Sequence, residues 1–278
     1  MTTPITKAII PVAGWGTRRL PITKAIDKCM LPVGNRPIVD YVVRDCIKAG
    51  ITEIFFVINK GSTQLQQYYS DNERLNQFLE YNRKQDFIAL AKPPQGITFH
   101  YIEQDSNDKY GTAIPVALVY PHLKKGESAI VVGGDDFVYN ANGSSELARL
   151  IAAVPEGQSG LLSAAVNPQE VSRYGVIDFQ EDTGLFEGIV EKPPIGQAPS
   201  NQINISKYVL NYDILGRIYD YAQLEVSGEY YVTAVISQVA LEKVPITVVP
   251  IAGEYLDCGN VHGWLHANQL IVSRVAGA

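Results

Sequence analysis

AIIPVAGWGTRRLPITKAIDKCMLP, residues 8–32, starts as an apolar run from Ala8 to Val12 and turns at Gly14-Trp15-Gly16-Thr17-Arg18. A basic, proline-punctuated segment follows, carrying Arg19, Lys24 and Lys28. Gly14 and Gly16 let the backbone come close to a ligand and tolerate positive φ. Free backbone N–H groups after a strand make an anion cradle. Arg18, Arg19, Lys24 and Lys28 add full positive charges, and arginine can grip a phosphate through two parallel hydrogen bonds. These residue types in this order predict a polyphosphate site at the end of a buried parallel strand.

Two common phosphate motifs are excluded. A P-loop needs Gly-Lys-Ser/Thr at its end, and this turn has none. The dinucleotide fingerprint needs a third glycine where Arg19 stands, which removes a nicotinamide-dependent oxidoreductase.

Read outward, the chain continues strand-helix-strand. Pro37 starts a helix with apolar positions Ile38, Tyr41, Val42, Cys46, Ile47 and Ala49, stopped by Gly50, and Ile54–Ile58 is an all-apolar strand. Residues 62–92 are polar and helical in pattern, with Tyr68, Tyr69, Phe78, Tyr81 and Phe87 expected in core packing or a subunit contact. Strands are expected at 97–102, 129–132 and 161–166, with helices at 113–118 and 147–154. This alternation predicts an α/β, doubly wound, mostly parallel sheet. From Tyr174 short alternating strands take over (YGVIDF, LFEGIVEKP, ISKYVLNY), predicting an added mixed-sheet region. Helices at 212–222, 231–242 and 261–273 and a strand at 246–250 complete the chain. No linker or repeat interrupts it, so residues 1–278 are read as one domain.

Composition narrows the class. The 278 residues are 46% hydrophobic and 19% charged, ordinary for a globular protein. The net charge of −6 argues against general nucleic-acid binding. Residues 1–60 hold nine Lys and Arg against four Asp and Glu, a balance of +5 that leaves −11 to the rest. A basic N-terminal part on an acidic protein suits one small anionic ligand. Cys29, Cys46 and Cys258 are too few and too irregular for a disulfide framework or a zinc site; of the four histidines only His262 and His266 stand at metal spacing, i and i+4, and without the glutamate of an H-E-x-x-H pattern the pair reads as incidental. No apolar run reaches membrane-spanning length and the N-terminus lacks a signal-peptide h-region, so a cytoplasmic protein without a membrane partner is expected.

Four places carry chemistry. Asp135 and Asp136 end an apolar strand after Gly133-Gly134, where an open α/β sheet forms its ligand crevice. A carboxylate opposite a phosphate loop suits Mg2+, which takes one or two carboxylates and leaves room for phosphate oxygens and water. Two solvated turn aspartates would read the same way. Asp257, in Leu256-Asp257-Cys258-Gly259-Asn260, is a second candidate, though Asp before Gly is also common in turns. Glu191-Lys192-Pro193 could put a carboxylate on sugar hydroxyls and an ammonium on a phosphate, or be an exposed ion pair at a strand end. Gln104 can pair with both edges of a pyrimidine, or be a surface loop residue, and Gly111 would let the backbone approach the same base.

The string G-x-G-T-R with its extension T-K-A-I-x-K-x-M-L-P resembles the signature of the sugar-1-phosphate nucleotidylyltransferases. VVGGDD, RYGVIDF, GIVEKP, APSNQINISKYVL, GEYYVTAVI and LDCGN extend the likeness from Lys7 to about residue 270. They are most similar to the UTP–glucose-1-phosphate uridylyltransferases of that family. The resemblance implies a Rossmann-like fold, with a nucleotide-binding part over 1–168 and a sugar-binding part over 169–278. It implies transfer of a uridylyl group from UTP to glucose 1-phosphate, giving UDP-glucose and pyrophosphate with Mg2+.

Ala13, Gly14, Gly16, Thr17, Gln104 and Gly111 would then bind the nucleotide. Arg18 and Lys28 would hold the triphosphate, Asp135 and Asp257 the metal, and Gly175, Glu191 and Lys192 the sugar phosphate. A homo-oligomer, dimer or tetramer, is implied as well. A thymidylyl or broad pyrimidine specificity, or a non-catalytic regulatory relative, are the competing readings. The chain departs from the family pattern at Asp27, Cys29, Tyr231 and Ala234.

Overall fold

The computed structural model describes residues 4–105 and 108–275. The ends of the 1–278 span and residues 106–107 of the loop after Gln104 lie outside them.

The first strand, β1 (Lys7–Pro11), runs into three single-turn helices between Thr17 and Met30. A two-residue ladder, β2 (Pro32–Val33) and β3 (Arg36–Pro37), leads to α1 (Ile38–Lys48) and β4 (Glu53–Asn59). Residues 62–92, expected as one helical stretch, form three short helices: α2 (Gln64–Tyr69), α3 (Glu73–Tyr81) and α4 (Gln85–Ala91). The break before α3 has a local cause, since the Asn72 side chain accepts from the Leu75 amide at 3.0 Å and starts a new helix.

β5 (Thr98–Gln104), α5 (Ala113–Val119), β6 (Ala129–Val132), β7 (Phe137–Tyr139), α6 (Glu146–Ala153) and β8 (Ser159–Ala165) follow. Then come β9 (Gly175–Phe179), β10 (Phe186–Glu191), β11 (Gln202–Leu210), α7 (Tyr212–Gln223), α8 (Val232–Leu241), β12 (Ile246–Pro250), β13 (Glu254–Leu256) and α9 (Val261–Val275).

The main sheet has the order β10-β9-β11-β6-β1-β4-β5, with β8 beside β11 and β12 beside β8. β6, β1, β4 and β5 are mutually parallel, the doubly wound part the alternation anticipated. β11 joins them antiparallel and carries β8 and β9, so the second half is the mixed region. β8 therefore does not extend the parallel run. It enters the sheet through β11, and β12 pairs with it in parallel.

Alternate residues of β1 and β4 feed two cores. Ile10, Ile54 and Phe56 pack under α1, α6 and α9, while Ile9, Phe55 and Val57 pack under α5, α7 and α8. Helices thus cover both faces, and the strands are apolar on both sides because neither meets water.

Of the aromatic residues between 62 and 92, Tyr69 is buried against Phe56 and Phe99. Core packing does not hold for Tyr68, Phe78, Tyr81 and Phe87, which are exposed, Tyr81 at 89%. The α3–α4 pair contributes little more than Leu79 to the interior, and its other apolar side chains face outward.

Candidate functional site

The parallel strands bring the nucleotide-type residues to one edge. The loop after β1, the end of β5 and the turn before α5 line a single cleft of about 570 Å³. Its wall includes Ala13, Gly14, Gly16, Thr17, Arg18, Lys28, Gln104 and Gly111. This is the carboxyl edge of the sheet, where open α/β folds place ligands.

The loop's shape follows from local chemistry. Val12 continues the β1 pairing through its amide to the Val57 carbonyl at 2.9 Å. Gly16 then takes φ of 62°, left-handed, and its carbonyl accepts from the Arg19 amide at 2.8 Å and the Thr23 hydroxyl at 2.9 Å. A Cβ on Gly16 would stand 3.0 Å from the Lys28 Cβ, so the chain is folded back until Lys28 lies over the loop that precedes it. Arg18 stays exposed and has no ion-pair partner among the described residues, leaving its guanidinium available to an anion.

Arg19 departs from the sequence reading. It is buried at 3% exposure, donates to the Cys258 carbonyl and lies 5.4 Å over the Trp264 ring. It therefore ties the loop to the chain around α9, and does not face a phosphate.

The acidic side is built behind β6. Asp135 pairs with the Lys28 ammonium. Burial by itself would raise the Asp135 carboxyl, but Lys28, with Lys207 and Arg18, outweighs it and holds the group below the ordinary aspartate range. Asp136 turns the other way, pairing with Lys207 and accepting from the Tyr255 hydroxyl at 2.9 Å. Burial, helped by the neighbouring Asp135 charge, raises its carboxyl despite Lys207.

Asp257 caps the turn before α9, its carboxylate accepting from the Gly259 backbone amide at 2.8 Å and the Asn260 side-chain amide at 3.2 Å. Gly259 lines the nucleotide-side cleft, whereas Asp257 lines a second cavity of about 1070 Å³ with Arg173, Tyr174, His262 and His266. The Asp257–Gly259 turn thus stands between the two spaces. Among the described residues no three His, Cys, Asp or Glu side chains cluster as a metal cage. The oxygen donors Asp135 and Asp257 fit a cation that draws its other ligands from phosphate and water.

Gly175, Glu191 and Lys192 are brought to one another, away from the cleft wall. Gly175 lies opposite Glu191 in the β9–β10 ladder, and a Cβ on Gly175 would stand 2.9 Å from the Glu191 carboxylate. Lys192 has φ of 47° and donates its amide to the Tyr174 carbonyl at 2.9 Å. A left-handed lysine costs of order 1 kcal/mol, and such positions cluster at functional sites.

Gln104 is buried at 6% exposure, and its Oε1 lacks a hydrogen-bond partner among the described residues. A buried acceptor left unmet is costly unless a ligand supplies the donor. Gly111, at φ 117°, has a second reason to be glycine: a Cβ there would come within 2.4 Å of the Tyr230 carbonyl and 2.5 Å of its nitrogen. The close approach foreseen for a base is thus also demanded by the Tyr230 segment.

Sequence reasoning missed Tyr110 and Glu229 on the cleft wall, and Lys207 and Tyr255 behind the acidic pair. Lys207 did leave a signal, being one cation in the strand run Ile203–Leu210 where most neighbours are apolar. All three thiols are buried and free; burial pushes Cys29 and Cys46 up and Cys258 up to about 12, in keeping with a structural role.

The nucleotidyl transferase family profile matches residues 7–274. The UTP–glucose-1-phosphate uridylyltransferase of Haemophilus ducreyi is 32% identical, over 94% of this chain and 91% of its own length. The UTP-bound UGPase of Acinetobacter baumannii superposes with a TM-score of 0.86 at 28% identity, covering 96% of this chain and 93% of that one. A UDP-glucose pyrophosphorylase complexed with UDP-glucose gives 0.79 at 27% identity, covering 97% and 99%. Among the described residues no helix is long and apolar enough to cross a membrane.

Proposed function

The chain belongs to the nucleotidyl transferase family, and on that premise we propose that it transfers the uridylyl group of UTP to glucose 1-phosphate, releasing pyrophosphate and UDP-glucose. The observation that carries the reading is the cleft itself. An arginine without an ion-pair partner among the described residues and a lysine stand at its glycine-rich loop, and a buried acceptor unmet among them, Gln104 Oε1, stands on the same wall. The first suits a triphosphate. The second suits the N3–H of uracil.

The bond that forms joins a phosphate oxygen of glucose 1-phosphate to the α-phosphorus of UTP, and the bond that breaks frees pyrophosphate. Both reactants are anions, so their repulsion is a large part of the barrier. Arg18 and Lys28 offset it on the triphosphate, and Lys192 on the incoming phosphate. The attacking phosphate is already ionised at neutral pH and needs no general base. What remains is alignment, which the loop backbone of residues 13–17 and the Gly175–Glu191 hairpin supply by holding the two substrates side by side.

Asp135 and Asp257 would hold Mg2+, which when bound neutralises charge on the phosphates and helps orient them. Asp135 is kept ionised for this by the cations around it. In this structure Lys28 occupies Asp135; with triphosphate bound, the ammonium has a stronger partner to turn to. A homo-oligomer, dimer or tetramer, belongs to the same proposal.

The test is pyrophosphate release from glucose 1-phosphate and Mg2+ with UTP, dTTP, CTP and ATP in parallel. Fast release with UTP alone supports the reading. Equal rates with UTP and dTTP move it to a broad pyrimidine enzyme, and no release with any nucleotide overturns it.

A further inference from the structure

Glu229 is the one carboxylate on the wall of the nucleotide-side cleft among the described residues. It has no ion-pair partner among them. Its Oε2 accepts from the Tyr231 hydroxyl at 2.8 Å, which fixes the carboxylate's direction. Its Cγ stands 2.7 Å from where a Cβ on Gly111 would lie, so the side chain is laid along the glycine that lines the same cleft.

A lone carboxylate is out of place in a cleft built for a polyanion. Its charge would repel every phosphate brought near it, and the partly buried wall screens that repulsion less than open water does. It is tolerable only beside an uncharged part of the ligand that offers hydrogen-bond donors. A pyrimidine edge offers one ring N–H between two carbonyl oxygens; those oxygens would oppose a carboxylate, and Gln104 already presents an acceptor for the N–H. The ribose offers two hydroxyl donors and no charge.

We propose that Glu229, oriented by Tyr231, accepts a hydrogen bond from the ribose 2′-hydroxyl of the bound nucleotide and makes that hydroxyl a determinant of specificity. The inference rests on the nucleotide site proposed above and deepens it.

The experiment compares UTP with dUTP, which differ only at the 2′-hydroxyl. Titration calorimetry and kcat/KM are measured on the full chain for wild type, Glu229→Met and Glu229→Gln. A hydrogen bond to a charged acceptor is worth roughly tenfold or more. Wild type is therefore expected to prefer UTP by about that factor. Glu229→Met is expected to weaken UTP and leave dUTP nearly unchanged, bringing the ratio close to one, with Glu229→Gln between.

An unchanged ratio in Glu229→Met, or an equal loss for both nucleotides, would mean that the side chain only packs against Gly111, and would overturn the proposal. So would a wild type indifferent to the 2′-hydroxyl. If Glu229→Met fails to fold, the Glu229→Gln ratio decides. Absence of UTP binding by wild type would instead bring down the nucleotide site itself, a result distinguishable because it precedes any variant.

Discussion

Removing the Lys207 ammonium exposes how the acidic side of the cleft is held. Lys207 is 3% exposed and its partner Asp136 13%, so the lysine is buried and the aspartate nearly so. It lies where β11 bulges between Asn204 and Tyr208, with Ser206 at φ 53° and the Gly133 amide on the Ser206 carbonyl at 3.0 Å. That bulge aims the lysine at the Asp135–Asp136 turn. Lys207→Met keeps the aliphatic stem and leaves Asp136 with the Tyr255 hydroxyl as a donor and Asp135 as a like-charged neighbour.

Breaking a buried pair from one side costs about 3–5 kcal/mol. At about 2 cal/mol/K per residue, the unfolding entropy of a chain this long is about 0.6 kcal/mol/K, so Tm should fall by about 5–9 °C. The loss must also depend on pH. Burial raises the Asp136 carboxyl in the folded state, and a carboxyl raised on folding gives stability that is complete below its unfolded value and lost as pH rises through the folded one. Without Lys207 the rise is larger, so the deficit against wild type should be greatest at neutral pH and shrink as the pH falls. Urea unfolding of wild type, Lys207→Met and Lys207→Met/Asp136→Asn from neutral pH downward is the assay. The double variant should recover part of the loss. A deficit below about 1 kcal/mol, or one flat with pH, would refute the argument that a buried counter-charge is what holds the turn.

Asp135→Asn should lower kcat by at least about a hundredfold while UTP affinity changes much less, measured by pyrophosphate release and calorimetry; near wild-type turnover would sink the metal assignment. Gly111→Ala meets both a positive φ and the Tyr230 backbone, so it should cost about 2 kcal/mol or more in denaturant unfolding and raise KM for UTP, whereas a wild-type Tm would contradict the contact. At the opposite end of β1, Lys7 donates to both Glu127 oxygens at 2.8 and 2.7 Å. Burial would raise Glu127, but Lys7 and the Lys124 amide outweigh it and lower the carboxyl. Its stabilisation is therefore present above the unfolded glutamate value and lost as pH falls through the folded one. Glu127→Gln should cost about 2 kcal/mol at neutral pH, with the deficit fading in acid and kcat untouched.

The uridylyltransferase reading and the nucleotide-side wall were legible in the primary structure because one short segment supplies most of both. β1, the Gly14–Arg18 turn and Lys28 lie within 22 residues, and local rules link them: a buried strand, a left-handed glycine, then cations. The strand-helix alternation up to β6 was legible for the same reason, since each parallel strand must be apolar on both faces and each crossover helix on one.

Local pattern does not determine which distant groups share a neighbourhood. Nothing around Arg19 distinguishes it from Arg18, yet one is exposed to the cleft and the other is buried on Cys258 and Trp264, more than 200 residues away. The Lys28–Asp135 and Lys207–Asp136 pairs join residues 107 and 71 positions apart. Glu229 reads as a polar residue in a loop until Gly111 is laid beside it.

By itself the sequence determined the parallel half of the sheet and the glycine-rich turn that follows β1, because periodicity and turn chemistry act over a few residues. Only the tertiary structure decided which charges are paired, which are buried and which face the ligand. Those depend on the dielectric and the neighbours that packing creates, and neither exists along the unfolded chain.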